Sequence, residues 1–260
     1  MGWANTEIKL TTVKLSTNGW TVGDMYFGTG QPGTIGKISA DGSTVLTNWA
    51  TLTNASSQIG ETNFLGGSLY IDQTGVFGGD MIVVTGGSSN SPEDGGTVWR
   101  VTSATNATRI AQIDNPTGSG RKLEGVLTLP NDVAKYGPWA GKMVIGGESS
   151  GLVYTVDTNG VVTPYNLGLA VPEDVRLIPA PAQNLYCLDV TANQVRKITA
   201  DNFASFAGDV LLVDEGTRAV VPSVFIVHWD GGRFVVRQMA TGTASLEHVV
   251  FAPIDIPALP

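Results

Sequence analysis

Short apolar runs, several of them alternating with polar residues, are separated along this chain by Asp-Gly and Asn-Gly pairs. That pattern predicts strands joined by tight hairpins. One arrangement recurs: a glycine, a charged residue and an apolar run appear as GDMYFGT (23–29), GDMIVVT (79–85), GKMVIGG (141–147) and GDVLLVD (208–214). An aromatic stands just upstream each time, at Trp20, Phe77, Trp139 and Phe206. The repeat glycines fall 56, 62 and 67 residues apart, which divides the chain into four units.

The remainder of each unit aligns too. A second strand reads GTIGKI (33–38), GTVWRV (96–101), GLVYTV (151–156) and SVFIVH (223–228), and a third reads STVLTNW (43–49), ATRIAQI (107–113), VVTPYNL (161–167) and RFVVRQM (233–239). A fourth run opens on a glutamate every time: ETNFLGG from Glu61, EGVLTLP from Glu124, EDVRLIP from Glu173 and EHVVFAP from Glu247. Four antiparallel strands per unit in tandem predict an all-β fold, a β-propeller, since each blade has an apolar face that only a neighbour can cover. The expected form is one domain over 1–260, with repeats near 20–66, 77–130, 139–180 and 206–256. Four blades are expected, the C-terminal strand from Glu247 joining the first blade to close the ring. A run at Thr6-Glu7-Ile8-Lys9-Leu10 resembles a further glutamate strand and leaves five or more blades, or an incomplete ring, as the alternative.

Composition narrows the function classes. The 260 residues include 33 glycines and 13 prolines, in keeping with a turn-rich β protein. A net charge of −8 argues against nucleic-acid binding, because no basic surplus exists to displace counterions from phosphates. No apolar run reaches membrane-spanning length, and no basic-then-apolar leader opens the chain. Abundant Thr, Ser, Asn and Gly with one cysteine suit a secreted or periplasmic protein. Cys187, in LYCLD, reads as a small buried apolar residue.

Two segments carry a family likeness. NLYCLDVTANQVRKITADN (184–202) resembles an NHL repeat, and GKMVIGGESSGLVYTVDTNGVVTPYNLG (141–168) is similar to blades of the regucalcin/gluconolactonase and virginiamycin B lyase-like propellers. The resemblance implies a channel whose loops bind something at one end. For the lactonase type it implies a divalent metal held by Glu, Asn and Asp. Only the recurring glutamates match that pattern, by residue type and blade position, and no catalytic residue carries over.

The glutamates are therefore the candidate site. In a common register Glu61, Glu124, Glu173 and Glu247 share one level around the axis, where crowded carboxylates raise one another's pKa unless a cation separates them. Such an oxygen-rich ring suits Ca²⁺. The expected function is a non-catalytic binding or interaction propeller with an acidic channel holding a divalent cation. Its partner is an unidentified small molecule, glycan or protein at one channel end. The alternative is a metal-dependent lactonase- or lyase-like enzyme using the same glutamates.

Other chemistry-like motifs fail on context. Ser149 sits in a G-x-S-x-G match, but a strand and not a helix follows it. The G-x-G-x-x-G of 28–33 is also followed by a strand. His248 is the best acid–base residue on offer, although strict strand alternation turns it away from Glu247. The loop of 86–96 and the long stretch between Glu173 and Gly208 depart from the fourfold pattern, and both are expected to be partner-specific surface.

Overall fold

The computed structural model describes residues 9–16, 18–31, 33–52, 67–86, 96–113, 122–190, 192–217, 219–242 and 245–252. Its regular structure is almost entirely antiparallel strand, in five sheets. The first holds β1 (Leu10–Thr12), β2 (Met25–Gly28), β3 (Thr34–Ile38) and β4 (Val45–Thr51), and the second β5 (Gly67–Ile71), β6 (Met81–Thr85), β7 (Gly96–Val101) and β8 (Ala107–Ile113). The third holds β9 (Glu124–Thr128), β10 (Met143–Gly147), β11 (Leu152–Val156) and β12 (Val162–Tyr165).

The last two sheets are interleaved in the chain. After β13 (Pro172–Leu177) the chain leaves for β14 (Asn184–Asp189) and β15 (Gln194–Ile198). It then returns with β16 (Val210–Asp214), β17 (Ser223–Trp229) and β18 (Phe234–Thr241), which pair outward from β13, before β19 (Leu246–Ala252) pairs with β14. The fourth blade is thus β13-β16-β17-β18, and the fifth is the three-stranded β19-β14-β15.

This corrects the expected four blades to five. The stretch between Glu173 and Gly208, read as an insertion, supplies two strands of the fifth blade. The C-terminal strand closes that blade and not the first, whose inner strand is β1. The glutamate runs are also not the last strands of their own units. Each described one is the innermost strand of a sheet, with β9 against β10, β13 against β16 and β19 against β14. A unit counted from glycine to glutamate therefore straddles two blades, so four such units can be read from a chain that makes five.

Side chains between blades supply the core. One apolar cluster joins the first and second blades through Trp20, Ile35, Leu52, Met81 and Trp99, and another joins the second and third through Ile82, Val84, Leu123 and Met143. A third lies between the third and fourth around Trp139, Val144 and Leu212, and a fourth joins the fourth and fifth through Leu211, Ile226, Leu185 and Cys187. Five blades in a fully sealed ring would need five such contacts. Among the described residues no cluster joins the fifth blade to the first; β1 and β19 instead face each other across a cavity of about 360 Å³.

The repeated aromatic and charged positions have structural roles. Trp20, Phe77 and Trp139 are fully buried, and the Trp20 indole N–H donates to the Gly79 carbonyl of the next blade at 2.8 Å. The aspartate after the repeat glycine meets a basic side chain of the adjacent strand: Asp24 pairs with Lys37 at 2.6 Å and Asp80 with Arg100 at 2.7 Å, and the His228 ring nitrogen lies 3.1 Å from Asp209.

Candidate functional site

The inner strands β1, β5, β9, β13 and β19 follow one another around the axis, and the N-terminal ends of β9, β13 and β19 carry Glu124, Glu173 and Glu247. Local irregularity aims them. Three of these strands carry a β-bulge at that end, opposite Ile145/Gly146 in β9, at Pro172/Asp174 in β13, and opposite Cys187/Leu188 in β19. A bulge bends the strand and re-aims a side chain out of the pleat's alternation. In β9 the extra residue is Gly125, at φ 60°, where an added Cβ would fall 2.5 Å from the Glu173 carbonyl oxygen. In β19 the extra residue is His248, which adopts φ 43°. A left-handed conformation is uncommon for any residue other than glycine, and such residues cluster at functional sites.

The entry to β13 is fixed as well. Asp214, at the end of β16, accepts from the backbone N–H of Ala170 at 2.7 Å and Val171 at 2.9 Å. Asp174 accepts from the N–H of Val175 and, across to the next inner strand, from that of Val249, both at 2.9 Å. Glu173 is thereby held between two anchored neighbours.

The expected ligands separate in space. Glu61 lies outside the described residues. Glu124, 1% exposed, is neutralised by protein cations: Lys9 Nζ stands 3.0 Å from one carboxylate oxygen and Lys122 Nζ 3.3 Å from the other. Lys122 also reaches Glu148 at 2.8 Å. Glu173, 3% exposed, meets Lys9 at 3.4 Å through Oε1, while its Oε2 is buried and accepts no hydrogen bond. Glu247 shares Ser245 with Glu215, the Ser245 hydroxyl lying 3.3 and 3.0 Å from the two carboxylates.

What the structure brings together is Glu173, Glu247 and His248, each with one potential ligand atom within 4.8 Å of the others'. Strict alternation puts His248 on the face away from Glu247, and the bulge at His248 removes that separation. A cavity of about 40 Å³ touches Lys9, Ser68, Glu173, Asp174, Arg176 and His248, enough for a water or a bare cation.

Two acidic members escaped the sequence reading. Glu148 and Glu215 both stand seven residues after a repeat glycine, Gly141 and Gly208, so the signal was present in the repeat itself. Lys9 and Lys122 pair with three of the five glutamates, Glu124, Glu148 and Glu173, while Glu215 and Glu247 share Ser245. Burial, followed by repulsion from Glu124, pushes the Glu148 carboxyl up to about 8. The same two causes hold Glu173 well above the usual carboxylate range, against the pull of Lys9.

The rejected motifs stay rejected. Ser149 lies in a 3₁₀ turn between β10 and β11, where its hydroxyl accepts from the Lys122 N–H at 3.1 Å. The glycines of 28–33 join β2 to β3. Most of the 86–96 loop lies outside the described residues.

No family model and no curated protein matches the sequence. Solved structures do resemble it. The selenomethionine-substituted virginiamycin B lyase of Staphylococcus aureus aligns over 90% of this chain and 74% of its own, with a TM-score of 0.43 and 11% identity. A catalytically inactive histidine-to-alanine form of that lyase, with quinupristin, covers 89% of this chain and 88% of its own at a TM-score of 0.42 and 12% identity. A streptogramin B lyase structure gives a TM-score of 0.42 and 11% identity over 90% of this chain and 74% of its own. The chain is a five-bladed, all-β propeller with a blade-level resemblance to the virginiamycin B lyase propellers.

Proposed function

We propose that this protein is a binding propeller whose acidic channel mouth holds a divalent cation between Glu173, Glu247 and His248. The observation that carries the reading is Glu173 Oε2, a buried oxygen without a hydrogen-bond partner beside two further donor groups. Buried polar atoms are rarely left unsatisfied, and a cation offsets both the lost hydrogen bond and the carboxylate repulsion. Glu124 has less need of one, since Lys9 and Lys122 already compensate it. An all-carboxylate ring suits Ca²⁺, whereas an imidazole in the donor set favours a metal that accepts nitrogen, such as Zn²⁺ or Mn²⁺.

The test is thermal unfolding before and after chelation, with Ca²⁺, Zn²⁺ or Mn²⁺ added back and the metal content measured. Chelation is expected to lower Tm by about 5 °C, and Glu173→Gln to remove the dependence on metal. An unchanged Tm together with no metal by elemental analysis refutes the cation site.

A second reading, a metal-dependent lyase or lactonase, is favoured by the same pair of groups. A carboxyl held above the usual range by burial and by repulsion from Glu124, next to an imidazole on a strained backbone, offers an acid–base couple. Turnover of a panel of lactones that is lost on chelation and in Glu173→Gln would select it over simple binding.

A further inference from the structure

The cavity of about 360 Å³ between β1 and β19 differs in chemistry from the acidic mouth. Its apolar wall includes Leu10 and Val250, each 52% exposed although both stand on innermost strands. The four apolar clusters that bury aliphatic surface lie between neighbouring blades, and Leu10 and Val250 belong to none of them. Leu69 and Val249 continue the wall.

Two cations, Lys14 and Arg176, line the same cavity, in a chain whose net charge is −8. Arg176 is fixed by Asp174 at 2.5 Å and by the Val249 carbonyl at 2.9 Å. Lys14 makes no ion pair among the described residues and lines the cavity with Arg176; although the residue as a whole is exposed, partial burial first, then repulsion from Arg176, lower its pKa. Asp174 thus compensates only one of two cations that face a ligand-sized hollow, whose aliphatic wall is joined by Thr11, Thr12, Tyr70, Gln73 and His248. Concave pockets of this volume, with apolar surface beside a few convergent polar groups, are where small molecules usually bind.

We propose that this cavity binds a small amphipathic organic acid, its carboxylate between Lys14 and Arg176 and its hydrocarbon part against Leu10, Leu69 and Val250. The carboxylate supplies the charge that the Lys14–Arg176 pair lacks, and the hydrocarbon covers aliphatic surface now facing water. A purely inorganic anion meets only the first need and a neutral alcohol only the second. The proposal does not rest on the cation reading: Arg176 and His248 border both hollows, but Lys14, Leu10 and Val250 are not among the proposed cation ligands, and Arg176 is held by Asp174 and the Val249 carbonyl with or without a metal.

The experiment is titration of the whole chain with hexanoate, followed by calorimetry and thermal unfolding in the presence of a chelator. Under those conditions the two readings fail separately. Hexanoate is expected to bind and raise Tm, hexan-1-ol and inorganic phosphate to bind at least tenfold more weakly, and Lys14→Ala to weaken hexanoate by about tenfold. Lys14 is exposed and bonded to nothing described, so its replacement leaves the fold intact, which circular dichroism checks. The proposal is overturned if hexanoate fails to bind, if hexan-1-ol or phosphate binds as well as hexanoate, or if Lys14→Ala binds it unchanged.

Discussion

Glu148 shows at the scale of one residue how the acidic mouth is linked to stability. Its carboxyl titrates at about 8 in the folded chain against an ordinary 4.5, because it is buried and faces Glu124. Between those values the folded state holds a proton that the unfolded chain has released, so raising the pH favours unfolding. Its contribution is complete below about pH 4.5 and lost as the pH rises through about 8. Glu148→Gln, which cannot ionise, is expected to flatten this part of the pH–stability curve and to be the more stable form at pH 8. Denaturant midpoints from pH 5 to pH 8 check this, and parallel curves for the two proteins would contradict it. His248 makes a different point at the same scale. It is a plain strand residue by pattern, and only its left-handed backbone brings its ring to Glu173 and Glu247.

Among the elements, β13 matters most, since it touches β9 on one side and β19 on the other and carries Glu173. Asp174 is the rivet: it holds the Val249 N–H of the next inner strand and pairs with Arg176. Asp174→Ala leaves a buried N–H without an acceptor and an arginine without its carboxylate, expected to cost about 3 kcal/mol. Denaturant unfolding measures that loss, and amide exchange should show Val249 losing protection first. The repeat made the paired strands of each blade legible. β2, β3 and β4 fall where the apolar runs and turn dipeptides put them, and so do their counterparts in the next two blades and in β16 to β18. The bulges were not legible, because an extra residue in a strand follows from how neighbouring backbones meet, as at Gly125 against Glu173, and not from local composition.

For the whole molecule, the interleaving of the last two blades predicts how it comes apart. β14 and β15 are joined at both ends to strands of the fourth blade, and the two blades share one apolar cluster. Hydrogen exchange under native conditions is expected to report β13 to β19 as one cooperative unit. The first blade, supported by a cluster on one side only among the described residues, should open before it. Exchange of β14 and β15 well ahead of β16 and β17 would count against the interlock.

What the sequence determined by itself is periodic: the antiparallel strands, their turns, the all-β class and the gathering of glutamates at the starts of inner strands. These follow from alternation and from glycine and asparagine chemistry, which act over a few residues. The number of blades, the partner of the C-terminal strand and the grouping of Glu173 with Glu247 and His248 were decided by tertiary structure. Each depends on which strand edge meets which after distant segments pack. A repeat read along the chain cannot distinguish the last strand of one blade from the first strand of the next; hydrogen bonding to β10, β14 and β16 does.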